Sequence, residues 1–452
     1  MKAPPFQKVL IANRGEIALR IIRACHELGI KTVAVHSKAD EDALHVKLAS
    51  QSVCIGPALA KESYLNVASI MSAAVATRAD AIHPGYGFLS ENAAFAEICN
   101  SCGITFIGPS VRNMRVMGDK ARARRVADKV GVPTIPGDSK GILDPHEALE
   151  VAEKAGYPIL LKACAGGGGR GMKIVRSSEE LVSTFQMAQR EVEAAFGDGH
   201  LLVEKYLPKV RHIEVQIAGD QSHNVIHLGI RDCSIQRRYQ KVLEEAPSIG
   251  LPADMQSQIQ DAAVELAKSV NYSSLGTVEF LADLDNRKFY FIEMNTRLQV
   301  EHPVTEMITD IDLVKEQIAI AAGADLSLEQ KDVKLVGHAI EARINAEDPR
   351  TLIPSPGLIK SYHPPGGNGV RVDSAVYAGY TVKPYYDSMI SKLIVRDKDR
   401  ESCIKKLLVA LDEYLIDGIN TNIELHRRIL NHPDFRSGNF STKFLEQVQL
   451  FG

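Results

Sequence analysis

The sequence predicts an α/β fold that opens on a mostly parallel sheet, and three observations carry that expectation. Short apolar runs (KVLIA, KTVAVH, ADAIHP, ITFIGP) alternate with helical stretches such as EIALRIIRACHEL over the first ~110 residues, the βαβ rhythm of an open parallel sheet. A glycine run, Gly166 to Arg170, sits between the apolar strands PILLK and MKIV. Beyond Pro208 the pattern changes to longer strands and hairpins, one of which, TVEFLADLDNRKFYFIEMN, carries paired acids.

A chain of 452 residues is too long for one core, so about two to four domains are expected. The N-terminal α/β part is expected over 1–115, a helical connector over 116–132, a unit with the glycine run over 133–204, and a large α+β part over 205–452. The loops ANRGEI (12–17) and HPGYGFLSEN (83–92) follow strands, where such sheets place functional residues. Neither is GxGxxG, so a dinucleotide fingerprint is weak.

Hydrophobic residues at 45% and charged residues at 24% are the balance of a soluble globular enzyme. A net charge of −3 supplies no global field for nucleic acid or an anionic membrane. No apolar run approaches the ~20 residues of a membrane span, and the opening MKAPPFQKVLIANRG lacks the apolar core of a leader peptide. Seven scattered cysteines argue for a reducing compartment, hence the cytoplasm. Cys99 and Cys102 form a lone CxxC with no second pair and no nearby histidine.

The strand–glycine loop–strand order is not a Walker loop, which runs from strand into helix. Such a hairpin can lay backbone amides over phosphates, with Lys162 at its mouth. In the later hairpin, a turn centred on Asn286 sets Glu279 opposite Glu293, seven residues to each side. Like charges so placed repel unless a cation lies between them, and paired carboxylates suit Mg²⁺ or Mn²⁺. From Glu293 the chain reads EMNTRLQVEHP; if it stays extended, Glu293, Asn295, Arg297, Gln299 and Glu301 share one face over at most ~26 Å. RDCSIQRRYQKV offers Arg237, Arg238 and Lys241 as an anion site or a solvated face. His212 reads as a ligand or a satisfied half-buried histidine, and Cys233 as a buried structural thiol.

Taken together, ANRGEIALRIIRAC, HPGYGFLSENA, MGDKARAR, KACAGGGGRGMKIV, RDCSIQRRYQKV, FIEMNTRLQVEHPVTEMITDIDLVKEQI, GHAIEARINAEDP and YAGYTVKPYYDSMI resemble the ATP-grasp family, and within it the biotin carboxylases. The resemblance covers nearly the whole chain. It implies an ATP-grasp fold of three parts: an N-terminal Rossmann-like domain, a small glycine-loop lid and a large C-terminal domain.

Carried over residue by residue, the resemblance places Lys120, Lys162, Gly167, Gly168, Gly169, Glu204, Lys205, Leu207, His212, Gln236, Glu279 and Glu293 around ATP. Glu279, Glu293 and Asn295 would hold Mg²⁺, two ions in all. Lys241, Arg297, Gln299 and Val300 would hold bicarbonate, with Glu301 as general base. Arg343 would steady charge on the biotin ureido oxygen, and Tyr86 would lie near the biotin ring. Tyr239 stands where many relatives have histidine, and Ala165 where a glycine is common.

The resemblance further implies a biotin carboxyl carrier protein, carboxyltransferase subunits and a homodimer as partners. No AMKM biotinylation motif occurs and no carboxyltransferase segment follows Gly452, so biotin is expected on another polypeptide. Another ATP-grasp ligase that activates bicarbonate or a carboxylate for an amine is the nearest rival. A catalytically silent scaffold is a rival of another kind.

Overall fold

The strand Lys8–Ile11 shows how the N-terminal part is built: Val9 and Ile11 enter one core while Leu10 and Ala12 enter the other. Alternation of this kind buries both faces, and helices such as Gly15–Glu27 and Val67–Thr77 cover them. The computed structural model describes residues 6–138, 140–164 and 172–451. Five parallel strands run in the order Gln51–Gly56, Lys31–Ser37, Lys8–Ile11, Ala81–His83, Thr105–Phe106.

The strand order reverses between Lys8–Ile11 and Ala81–His83, where such sheets bind ligands. The two loops singled out in the sequence flank that point. Asn13 ties them, its Nδ2 donating to the Pro84 and Tyr86 carbonyls at 2.7 Å each.

The helix Lys120–Lys129, N-capped by Asp119, leads to a three-stranded antiparallel sheet of Lys173–Val175, Ile159–Ala163 and Leu201–Lys205. The helices Pro145–Ala155 and Ser178–Phe196 pack on it through Ala152, Phe185 and Val192. The ladder from Ile159–Val175 to Leu161–Lys173 brackets the glycine run. Gly167, Gly168 and Gly169 themselves lie outside the described residues.

An eight-stranded antiparallel sheet organises the rest. At one edge lies the acidic hairpin, Ser274–Asp283 and Lys288–Asn295, followed by Arg211–Gly219, Val225–Arg237 and Gln240–Ala246. Then come His338–Asn345, Met389–Asp397 and Val370–Ser374. Among the described residues no helix is long and apolar enough to cross a membrane. All seven cysteines are free; Cys233 is buried as expected, and Cys99 packs its sulfur against Met71.

Candidate active site

The two hairpin acids face each other because of a bulge. Asp283 pairs with Lys288 and Leu281 with Tyr290, so the turn is residues 284–287, centred between Asp285 and Asn286 rather than on Asn286. A regular ladder from that turn would set Glu279 opposite Ile292. The register shift next to Glu279 leaves Ile292 unpaired and restores the Glu279–Glu293 pair.

On its other side Glu279 pairs with Glu214, which pairs in turn with Arg231. Arg231, Glu214, Glu279 and Glu293 therefore stand in one row across four strands. Lys241 neutralises much of this row: its Nζ lies 3.1 Å from Glu279 and 2.8 Å from Glu301, and closer still to Glu214.

Burial works against ionisation of Glu214, yet the Lys241 ammonium and the Arg231 guanidinium outweigh it and hold the carboxyl well below the usual range. Burial likewise opposes a charge on Lys241, but Glu214, Glu279 and Glu301 raise its pKa well above the ordinary lysine value. His212 sits 3.0 Å from Glu279; against burial, that carboxylate and Glu214 raise the imidazole to about 9. It is part of the site rather than an isolated core histidine.

The expected extended strip bends. The strand ends at Asn295 and a helix begins at His302, with Pro303 in its first turn and Glu301 as N-cap residue. Leu298 and Val304, both fully buried, draw the chain inward. The polar side chains still gather, over a short span rather than ~26 Å. Asn295 Nδ2 and Gln299 Nε2 donate to Glu279 at 2.7 and 3.1 Å, and Arg297 donates to Gln299 and Asn295 at 2.9 and 3.2 Å. Glu301 shares the Lys241 ammonium with Glu279.

Two cavities meet here. One, of about 290 Å³, is lined by Lys120, Lys162, Glu204, Lys205, Leu207, His212, Gln236, Glu279, Glu293 and Asn295. The second, of about 780 Å³, is lined by Tyr86, Arg237, Arg238, Val300 and Arg343, and Lys241, Arg297 and Gln299 wall both. Within the first, Lys162 pairs with Glu204 at 2.5 Å and Lys120 with Glu293 at 3.3 Å. The Lys205 ammonium is taken up by the Gly156 and Tyr157 carbonyls, and Gln236 donates to the Cys233 carbonyl.

Glu301 lines neither cavity. It is fully buried between them, one oxygen on Lys241 and the other 2.9 Å from Arg343 Nη2. Burial and Glu214 favour its protonated form, but Lys241 and Arg343 keep its pKa below the usual value. In the second cavity the Tyr86 hydroxyl donates to Glu16, and the Val300 carbonyl accepts from Lys392 at 2.8 Å.

Several participants escaped the sequence reading. Glu214 shares the strand and the alternation of His212, so period-2 spacing could have found it. Glu91, from the second N-terminal loop, accepts from Arg297 Nε at 3.0 Å; Arg124 holds Glu204 at 3.2 Å; Glu244 accepts from Arg343 Nε at 2.6 Å.

Glu341 stands across the ladder from Glu244, fully buried, with neither oxygen hydrogen-bonded among the described residues. Burial raises its pKa well above the usual range against Lys392, and Glu244 adds to the rise. Burial also lifts Glu244, to about 7. A carboxyl raised on folding contributes stability fully present below its unfolded value and lost as pH climbs through the folded one. Glu341→Gln should therefore raise the melting temperature by roughly 1–3 °C at pH 8 and hardly change it at pH 4. Scanning calorimetry at both pH values checks this.

A small sheet over a cavity walled by lysines and opposed acids, joined to a second basic cavity, defines an ATP-grasp ligase. The biotin carboxylase N-terminal domain model matches residues 5–114, the ATP binding domain model of the carbamoyl-phosphate synthase L chain 119–329, and the biotin carboxylase C-terminal domain model 341–447. Biotin carboxylase 1 of Bacillus subtilis is 54% identical over 447 residues, 99% of each chain. The biotin carboxylase–β,γ-ATP complex from Campylobacter jejuni superposes with TM-score 0.96 at 50% identity, covering 98% of this chain and 99% of that one.

The biotin carboxylase domain dimer of Hydrogenobacter thermophilus 2-oxoglutarate carboxylase, in complex with MgADP, ADP and bicarbonate, gives TM-score 0.94 at 51% identity, covering 98% and 97%. The chain belongs to the biotin carboxylase family.

Proposed function

We propose that this chain uses ATP and bicarbonate to carboxylate biotin borne by a separate carrier protein, through carboxyphosphate, giving carboxybiotin, ADP and phosphate. The observation that carries the reading is Glu301, held between the two cavities by Lys241 on one side and Arg343 on the other. Labelled bicarbonate, ATP, Mg²⁺ and free biotin test it: an acid-labile labelled product that tracks ADP release is expected. Bicarbonate-dependent ADP release without labelled biotin would promote the rival ligase.

Bicarbonate is a poor nucleophile until it loses its proton. Glu301, kept ionised by Lys241 and Arg343, accepts that proton while Lys241, Arg297 and Gln299 hold the anion. The resulting oxygen attacks the γ-phosphate, whose bond to ADP breaks. Lys120 and Lys162 are placed to offset charge on the transferring group.

Mg²⁺ bound by Glu279 and Glu293 would add charge neutralisation at the phosphates. The opposed carboxylates fit such an ion, two in the proposed site. Asn295 offers Glu279 its amide N–H, so serving as a ligand requires turning its carboxamide over. Carboxyphosphate then releases CO₂ and phosphate; the phosphate takes the biotin ureido proton and the freed nitrogen attacks CO₂.

Arg343 steadies the charge that builds on the ureido oxygen, beside Tyr86. Arg343→Ser should slow biotin carboxylation about 100-fold, yet slow bicarbonate-dependent ADP release without biotin less than about tenfold. Equal losses in the two assays would contradict this role.

The parent complex in this reading is acetyl-CoA carboxylase in fatty acid synthesis, with carboxyltransferase subunits as partners, a homodimeric chain and a cytoplasmic setting. Support comes from relatives named biotin carboxylase and spanned over nearly their whole length, and from a neighbour that is a dimer. Residues 1–115, 116–132, 133–204 and 205–452 act in it as platform, connector, lid and catalytic part. A second reading, a keto-acid carboxylase, is favoured by the biotin carboxylase subunit of a pyruvate carboxylase, 51% identical with TM-score 0.83. Assaying the purified chain with carrier and carboxyltransferase components of each kind separates the two.

A further inference from the structure

The Arg343 backbone lies where its strand loses a neighbour. The ladder between His338–Asn345 and Gln240–Ala246 has its last registered pair at Leu243–Ala342, one residue short of Arg343. Two side chains from the C-terminal part take over. Asn422 Nδ2 donates to the Arg343 carbonyl at 2.9 Å, and Asn422 Oδ1 accepts from the Asn345 N–H at 2.8 Å. One carboxamide thus bonds residues i−1 and i+1 of the strand as the N–H and C=O of a single residue in a parallel neighbour do.

His426 Nε2 meets the same carbonyl at 2.7 Å. A carbonyl only accepts, so Nε2 carries the proton; the ring is wholly buried and its Nδ1 has no partner among the described residues. Both lone pairs of one carbonyl are therefore used by side chains. At its far end the same residue is held by Glu244 and Glu301, and Nη1 has no hydrogen-bond partner among the described residues.

We propose that Asn422 and His426 are positioning residues: they fix the Arg343 backbone so that its guanidinium meets the biotin ureido oxygen in register. This rests on the proposed biotin carboxylation. His426 lines neither cavity and Asn422 lines only the second, and their effect falls on the step that uses Arg343. Neither lies in the nucleotide cavity, so ATP cleavage is affected much less.

The test uses the full chain with two assays, labelled bicarbonate into free biotin and bicarbonate-dependent ADP release without biotin. His426→Leu should lose about tenfold (~1.4 kcal/mol) in the first and less than about twofold in the second. His426→Gln, which keeps an N–H donor, should recover most of the loss. In an Arg343→Ser background, His426→Leu should cost nothing further in the biotin assay, because the group it positions is gone.

Equal losses in both assays, no rescue by Gln, or additive losses with Arg343→Ser would overturn the proposal. Should His426→Leu not fold, Asn422→Asp carries the same test: it keeps the acceptor for Asn345 and sets an oxygen against the Arg343 carbonyl. A native chain that releases ADP with bicarbonate but labels no biotin defeats the functional reading itself, an outcome distinct from all of these.

Discussion

Glu301→Gln lowers bicarbonate-dependent ADP release by about 10²–10⁴-fold and leaves ATP affinity, measured by calorimetry, within about twofold of the native value. The substitution keeps shape and volume, so the buried position is not emptied. It removes the basic carboxylate held between Lys241 and Arg343 and leaves them with one negative charge fewer to answer. The site then holds more net positive charge, so KM for bicarbonate does not rise while kcat collapses. A raised KM with near-native kcat would show that Glu301 binds bicarbonate rather than accepting its proton.

Glu293→Gln is the second large effect: turnover at saturating Mg²⁺ should fall about 100-fold (~2.7 kcal/mol). Burial opposes charge on Glu293, but Lys120, and after it Lys162 and Lys241, hold its pKa below the ordinary value. It is therefore a ready anion for a cation. Titrating activity against Mg²⁺ checks this, and an unchanged profile would remove Glu293 from the metal assignment.

The acid pair and the cluster of Asn295, Arg297, Gln299 and Glu301 were legible as neighbours because they lie close along one hairpin and its continuation, although a bulge sets the pair and the continuation bends after Asn295. The bend before His302 was also written in the sequence: Pro303 is a residue that helices accept in their first turn, a signal that the alternating pattern overrode. Glu91, Arg124 and Glu244 were not legible. Each reaches its partner across 80 or more residues, Arg297–Glu91 across 206. Contacts of that range are set by how whole elements pack, which local periodicity does not encode. The clamp on Arg343 from Asn422 and His426 is of the same kind.

The unpaired Ile292 has a consequence for inheritance and for engineering. A four-residue turn joins positions an odd number apart, as in Asp283–Lys288 and Leu281–Tyr290, whereas the two acids are separated by an even number. Parity forbids their meeting across a four-residue turn unless one strand carries an extra residue. The hairpin thus stores one residue of slack between its tip and its acids. Deleting a single residue at the tip can be absorbed by taking up that slack, with Glu279 and Glu293 still face to face and a four-residue turn retained. Inserting one likewise makes the separation odd, and a hairpin one pair longer keeps the acids opposed across a four-residue turn without the bulge. Grafting the two acids at this spacing onto a hairpin with a four-residue turn fails unless the odd residue travels with them.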